Sequence, residues 1–425
     1  MKKGCWNRVC ALLLAILIFL FSAAGCGMVK AEKKDLTEGV SAQQVDASGG
    51  LTDEAIRSTV AFSLDLFRRA AALGKENALI SPVSVLLALG MVANGADKDT
   101  LTAFENVLGR YGLSLADINL ACKELAEKLK AVGGSTVQSI ANSIWYDKNF
   151  EANKDFLQTD MDYYEAAAYV SDLSDSKTVE EINQWVEENT NGLIKDMIDS
   201  IPAQAIMLLF NTIYLKAVWQ EQFDANDDYD GTFTLSNGNT VTATYMRNAL
   251  GEETYLHNDG ANGILLPYDD GNLAYVAILP PEGTTVEAYV SLLDEDVLKG
   301  LLDSAEQTNV RVSLPKYTVY FDAVLNDLLS DMGLSLAFDP DHADFSKMGS
   351  ADGNIFISKV IHKTCMKVNE LGTEAAAVTG IVMEATSMPA DDFVILNFDH
   401  PFVYAVIEVD TGIPVFMGVM NNPAA

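Results

Sequence analysis

Basic residues are scarce in this chain: 28 Lys and Arg stand against 60 Asp and Glu in 425 residues, a formal charge of −32. That balance excludes nucleic acid as a partner, because binding to phosphate backbones rests on clustered cations. Histidine is rarer still, with four scattered residues and no zinc-ligand spacing. The five cysteines show no framework spacing for disulfides. Catalytic signatures are missing as well. There is no Gly-x-Ser-x-Gly elbow and no His-Glu-x-x-His, and Ser174-x-x-Lys177 falls in a polar stretch where chance explains it. Asn226 to Gly231 imitates the start of a calcium loop, but Asn237 stands where the closing glutamate belongs, so the stretch reads as an acidic hairpin loop. Neither an enzyme nor a metal or cofactor protein is expected.

The N-terminal apolar run is short. Val9 to Phe21 follows Lys2, Lys3 and Arg8 and ends in Ser22-Ala-Ala-Gly-Cys26, which has the charge, length and small-residue ending of an export signal rather than a spanning helix. Residues 1–25 are the expected signal peptide. Ala23-Ala24-Gly25-Cys26 resembles a bacterial lipobox, with alanine where leucine is usual at position 23. Cys26 is then the lipidation site, and the anchor would hold the protein on the outer face of a bacterial membrane. An ordinary cleavable signal would leave it secreted. Residues 26–50 are polar and aperiodic and read as a tether, leaving 51–425 as the folded domain. Without residues 1–25 the balance is 25 basic against 60 acidic residues, a surface suited to solubility outside a cell.

What is present is a large core: 49% of residues are apolar. Asp53 to Arg69 spaces Val60, Leu64 and Phe67 as a helix does. Asn77 to Gly95 has Ser81 before Pro82 as a helix start and Asn94-Gly95 as its stop. Almost nothing polar lies between, so this helix belongs in the centre. Thr178 to Ile198 reads as an amphipathic helix, Ala205 to Ala217 as a buried strand, and Tyr229 to Ala243 as a hairpin turning at Asn237-Gly238. Gly263 to Leu266, Leu273 to Leu279 and Val310 to Leu314 read as strands, and Phe321 to Met332 as a helix. From Phe393 to Met420 strands resume around an Asp410-Thr-Gly412 turn. Cys122 falls in a helical pattern and Cys365 in a strand pattern, so both are expected as structural residues. Helices gather early and strands late, an α+β arrangement that is largely antiparallel.

The most telling stretch runs from Glu370 to Pro389. From Thr373, alternate residues Ala375, Ala377, Thr379, Ile381, Met383 and Ala385 form one uncharged face, and Glu374 and Glu384 fall on the other. Such a segment fits the middle of a sheet. Its small residues, its flanking Gly372 and its Pro-Ala-Asp-Asp ending also fit a long exposed loop. Ordering a loop residue costs about 1–2 kcal/mol, and a ladder hydrogen bond returns about 1 kcal/mol net. Burial of Ile381 and Met383 therefore decides whether insertion is favourable.

The ordered matches Asn77-Ala-Leu-Ile-Ser-Pro-Val-Ser84, Ile182 to Gly192, Phe210 to Trp219, Asp344-Phe-Ser-Lys-Met348, this loop, His400-Pro-Phe-Val-Tyr404 and Phe416-Met-Gly418 resemble the serpin family over about residues 55–423. The resemblance implies one domain with the serpin fold, three β-sheets with eight or nine helices and an exposed reactive-centre loop. It also implies a suicide-type inhibitor of serine proteases, acting as a monomer and held covalently to its target. The hinge would be Gly372, Thr373, Glu374, Ala375, Ala376 and Ala377. Val378 is bulkier than the family pattern and Leu371 replaces a usual polar residue, but Val378 lies on the outward face. The reactive bond would join Thr386 and Ser387, which suits an elastase-like or subtilisin-like target and excludes a trypsin-like one. Glu370, Lys316 and Trp219 would mark where the loop first enters the sheet. Ser81, Ser84, Asn211 and His362 would form the shutter beneath the opening sheet. The alternative within the family is a non-inhibitory surface carrier or chaperone, and the small, uncharged inward face of the hinge argues against it.

Thr373 leads that inward face. Thr373→Arg is expected to turn an inhibitor into a substrate, with cleavage persisting and trapping lost. A complex yield equal to wild type on a denaturing gel would show that the face is misassigned.

Overall fold

The computed structural model describes residues 33–131, 133–192, 194–373 and 393–425. Helix α1 (Asp53–Ala71) starts at Thr52, whose side chain accepts a hydrogen bond from the Ala55 amide. It carries Asp53 and Glu54 in its first turn and Arg68 and Arg69 in its last, each sign facing the opposite end of the helix dipole. Helix α2 (Pro82–Ala93) is capped by Ser81 and is buried along its whole length, as its lack of a polar face requires. Helices α3 (Leu115–Lys130) and α4 (Lys154–Tyr164) pack beside it, and α5 (Ser176–Asn189) lies against the central sheet.

The central sheet has seven strands: β1 (Lys34–Asp35), β2 (Val137–Asp147), β3 (Ala167–Ser171), β4 (Met207–Val218), β5 (Tyr317–Val324), β6 (Lys359–Asn369) and β7 (Gly372–Thr373). Their spatial order is β1-β3-β2-β4-β7-β6-β5. A second sheet of ten strands contains Ala78–Ile80, the hairpin Tyr229–Thr234 with Thr240–Arg247, the strands from Gly251 to Leu279, and the C-terminal pair Phe402–Glu408 and Pro414–Met420. Glu151–Ala152 and Gly349–Ser350 make a third sheet of two strands. With nine α-helices among the described residues, this is the α+β architecture expected, although β2, β3 and β4 place strands in the first half too.

Three expectations fail in part, each for a local reason. The helix expected over Thr178 to Ile198 stops at Asn189, because Asn191 and Gly192 take positive φ of 50° and 81° and turn the chain away. Met197 and Ile198 still bury, from irregular backbone, beside Trp145 and Trp185. The helix expected over Phe321 to Met332 is strand up to Val324. Tyr317, Val319, Phe321 and Ala323 are buried in alternation, a period hidden in the sequence because the outward Tyr320 and Val324 are also apolar. Only Asn326–Leu329 is α-helical there, before a short π and 3₁₀ stretch.

The third concerns the tether. Cys26 lies outside the described residues, but residues 33–50 are docked rather than free. Lys34 and Asp35 pair with Val170 and Tyr169, making β1 the outer strand of the central sheet, and the Leu36 amide donates to Ala168 O at 2.8 Å. The Gln43 amide donates to Asp162 on α4 at 2.7 Å, Gln158 reaches back to Ser41 O at 3.0 Å, and Ala47 is buried. Gly50 runs so close to α3 that a Cβ there would lie 2.6 Å from the Leu120 carbonyl. Polar composition misled because the docking uses backbone and side-chain hydrogen bonds in place of an apolar period.

At about 0.5–1.5 kcal/mol per net hydrogen bond, deleting residues 33–50 is expected to cost about 3 kcal/mol. The urea unfolding midpoint should fall accordingly, and an unchanged midpoint would show that the segment merely rests on the surface.

Candidate functional site

The central sheet is forked. At its lower end β4 and β6 pair directly and in parallel, Leu208, Leu209 and Phe210 against Lys359, Val360 and Ile361. At its upper end β7 separates them, with Thr373 beside Ala217 on one side and Val368 on the other, and Gly372 beside Val218 and Asn369. Among the described residues no ladder pair joins β4 to β6 in between, so 211–216 and 362–367 face each other across a slot. Gly372 fits because it lacks a side chain: its φ is 146°, and a Cβ would lie 2.0 Å from Ala217 O.

The residues expected at the mouth converge here. The Trp219 amide donates to Leu371 O at 3.0 Å, its indole Nε1 to Asn369 O at 2.8 Å, and the Phe223 amide to Glu370 O at 3.0 Å. Every carbonyl of the turn into β7 is thereby held. Lys316 Nζ lies 2.8 Å from Glu370 and 3.0 Å from Asp228. The Glu370 contact is an ion pair that falls short of an aligned hydrogen bond. Partial burial works against the Lys316 charge, but the two carboxylates outweigh it and hold its pKa above the ordinary lysine value. Burial likewise opposes the Glu370 charge, and Lys316 outweighs it, so its pKa falls. Asp228 comes from the acidic stretch that imitates a calcium loop, and its carboxylate is committed to Lys316.

Thr373 is buried, as the uncharged face requires, and its hydroxyl lies 2.5 Å from the Tyr268 hydroxyl. Tyr268 is itself buried and stacks on Trp219 with ring centroids 4.8 Å apart and planes 6° from parallel. Tyr268, Asp228 and Asn369 were missed in the sequence. Asp228 is marked only as part of the acidic stretch. Nothing in the local pattern of Tyr268 or Asn369 points to the site, because Tyr268 meets it from the second sheet and Asn369 acts through its backbone carbonyl.

The residues expected as a shutter sit at the lower end of the slot. The Ser81 amide donates to His362 Nε2 at 3.1 Å, Ser81 Oγ donates to Val415 O at 2.8 Å, and Ser84 Oγ donates to Ser81 O at 3.1 Å. Asn211 stands in β4 one rung above the direct pairing, opposite Asn142 of β2; its side chain lies outside the described part. His362 is fully buried, and burial pushes its pKa down to about 4. Glu374, Ala375, Ala376, Ala377 and the reactive pair Thr386 and Ser387 lie outside the described residues. Cys122 is buried in α3, its thiol pushed up to about 12 by burial, and Cys365 is half-buried in β6, both without a disulfide.

The family profile for serpin (serine protease inhibitor) matches residues 57–423. This chain belongs to the serpin family. Human neuroserpin is 32% identical over 374 residues, covering 85% of this chain and 90% of its own length. An uncharacterized serpin-like protein of Thermococcus kodakarensis is 31% identical over 370 residues, covering 85% and 84%. The native-state structure of tengpin, a thermophilic serpin, superposes with a TM-score of 0.86 at 36% identity, covering 92% of this chain and 99% of tengpin. Tengpin in its latent state gives a TM-score of 0.75. Serpins are in general protease inhibitors rather than enzymes.

His362 supplies a pH test. It must stay neutral to accept from Ser81, and its pKa is about 4 when folded against 6.5 as the ordinary value. The unfolded chain therefore binds the extra proton, and the stability this residue contributes is complete above pH 6.5 and drains away as pH falls towards 4, by about 3 kcal/mol. Asp160, buried beneath Asn94, is pushed up by burial and acts with the opposite sign. The difference between wild type and His362→Gln isolates the histidine. Urea midpoints that diverge from wild type above pH 6 and converge near pH 4 are expected, whereas parallel curves would remove His362 as the titrating group.

Proposed function

We propose that this serpin is a suicide-type inhibitor of serine proteases with an elastase-like or subtilisin-like preference. The observation that carries this is the hinge already seated in the sheet: Gly372 and Thr373 form β7 between β4 and β6. Continuing the two registers would pair Glu374 with Lys216 and Lys367, and Thr379 with Asn211 and His362, filling the slot. Further insertion would have to part the three pairs below. The chain therefore has a start point, a receiving slot and a short seam to open. The greater likeness to native than to latent tengpin supports the same reading.

The protease serine hydroxyl would attack the Thr386 carbonyl, the bond to Ser387 would break, and the Ser387 amine would leave with a proton from the protease. The acyl ester on Thr386 then waits for water. Insertion of the loop draws the ester away before hydrolysis completes. A threonine at this position suits a small or medium apolar pocket and gives nothing to an aspartate at the base of a pocket. The inhibitor would work as a monomer, exported and held by a lipid at Cys26 on the outer face of a bacterial membrane.

Mixing the protein with a pancreatic-type elastase and, separately, with a subtilisin is expected to give a complex that resists SDS and releases a peptide beginning at Ser387. Turnover of the loop by both enzymes without any complex would overturn the inhibitory reading and favour a carrier.

A further inference from the structure

We propose that Tyr268 is a positioning residue for the inhibitory reaction: it latches the hinge into its first rung and so sets how often a cleaved loop inserts before its ester hydrolyses. This rests on the inhibitory reading above. Tyr268 belongs to the turn that follows Ala261–Pro267 of the second sheet, and the turn is fastened to the end of β4. The Asp269 amide donates to Val218 O at 2.9 Å and the Gln220 amide to Pro267 O at 2.9 Å. Trp219 and Tyr268 share a single antiparallel bridge as well as their stacked rings. The ring is thus held against Trp219 and its backbone against the end of β4, and its hydroxyl meets Thr373 in a buried place.

The physical case is one of nucleation. A strand that starts from an unformed turn must first order that turn before any ladder bond compensates. Here the turn from Asn369 to Gly372 and the first two ladder residues already exist, so each following residue adds to a standing rung. A rung two residues long would fray on its own. The Tyr268–Thr373 hydrogen bond is the side-chain contact that keeps it closed from the core side. Without it the hinge peels open, insertion has to begin again, and water has more time at the ester.

The test compares wild type, Tyr268→Phe, Thr373→Val, the double variant and Thr373→Ser against the protease that wild type traps. The readout is the ratio of cleaved inhibitor to covalent complex, which does not depend on how fast the protease attacks. Tyr268→Phe keeps the ring that stacks on Trp219, and thermal midpoints confirm that each variant is folded. The ratio should rise about three- to tenfold in either single variant, the factor that one net hydrogen bond represents. The double variant should do no worse, and Thr373→Ser should stay near wild type. Amide exchange of the 369–373 segment, measured without protease, should quicken by a similar factor in the same variants. Wild-type ratios and wild-type protection in both single variants would overturn the latch. If wild type itself forms no complex, the inhibitory reading fails separately, and unchanged exchange would still overturn the latch.

Discussion

Two strands, β4 and β6, share an edge that is closed by three direct pairs at one end and by two residues of β7 at the other. The rest of the molecule depends on that half-closed edge. Elsewhere the central sheet is continuous: β2 and β4 pair over ten residues, from Val137 with Lys216 to Tyr146 with Met207, and β5 and β6 over eight. A seam of three pairs flanked by ladders of ten and eight is the weakest backbone pairing in this part of the sheet. In sequence, the residues after Thr373 alternate between an uncharged face and one that carries Glu374 and Glu384, the pattern of an interior strand.

Each end of the slot is tied to the second sheet by different chemistry. At the top the ties are aromatic and ionic: Trp219 against Tyr268, Lys316 between Asp228 and Glu370. Lys316 is partly exposed and its ion pairs are screened by water, so they steer the turn more than they stabilise it. At the bottom the ties are neutral, buried hydrogen bonds, from Ser81 to His362 and Val415, and from Thr364 Oγ1 to Leu79 O at 2.9 Å. These bonds are directional and cannot slide, so β6 is stapled to the capped start of α2 while β4 is held across the seam by only three pairs.

The parts legible in the sequence were those written in local pattern. The buried helix follows from Ser81-Pro82 and an unbroken apolar run, and the Asn237-Gly238 hairpin from its turn residues. Ser81, Ser84 and His362, and likewise Glu370, Lys316 and Trp219, were placed by family resemblance, and they do come together. What stayed hidden depends on partners far along the chain. Tyr268 is one of 15 tyrosines and has no distinguishing neighbours. Residues 33–50 have a polar composition whose meaning changes once Asp162 and the edge of β3 are near. The strand at Phe321 to Val324 was obscured by apolar residues on its exposed face, which erased the contrast a period needs.

The docked N-terminal segment bears on the seam from the far side. β1 extends the block β3-β2-β4, and residues 41 to 51 tie that block to α3 and α4 through Asp162, Gln158 and Glu124. If β4 were to move away from β6, the ten-residue ladder would carry β2 with it, and β3 and β1 would follow or shear. Shear along β2 would break many backbone bonds at once, whereas motion of the block as a body strains only its outer fastenings. The outermost fastening is the segment just after the expected lipid site. On the proposed mechanism, that docked stretch would restrain the block that has to move for the central sheet to open.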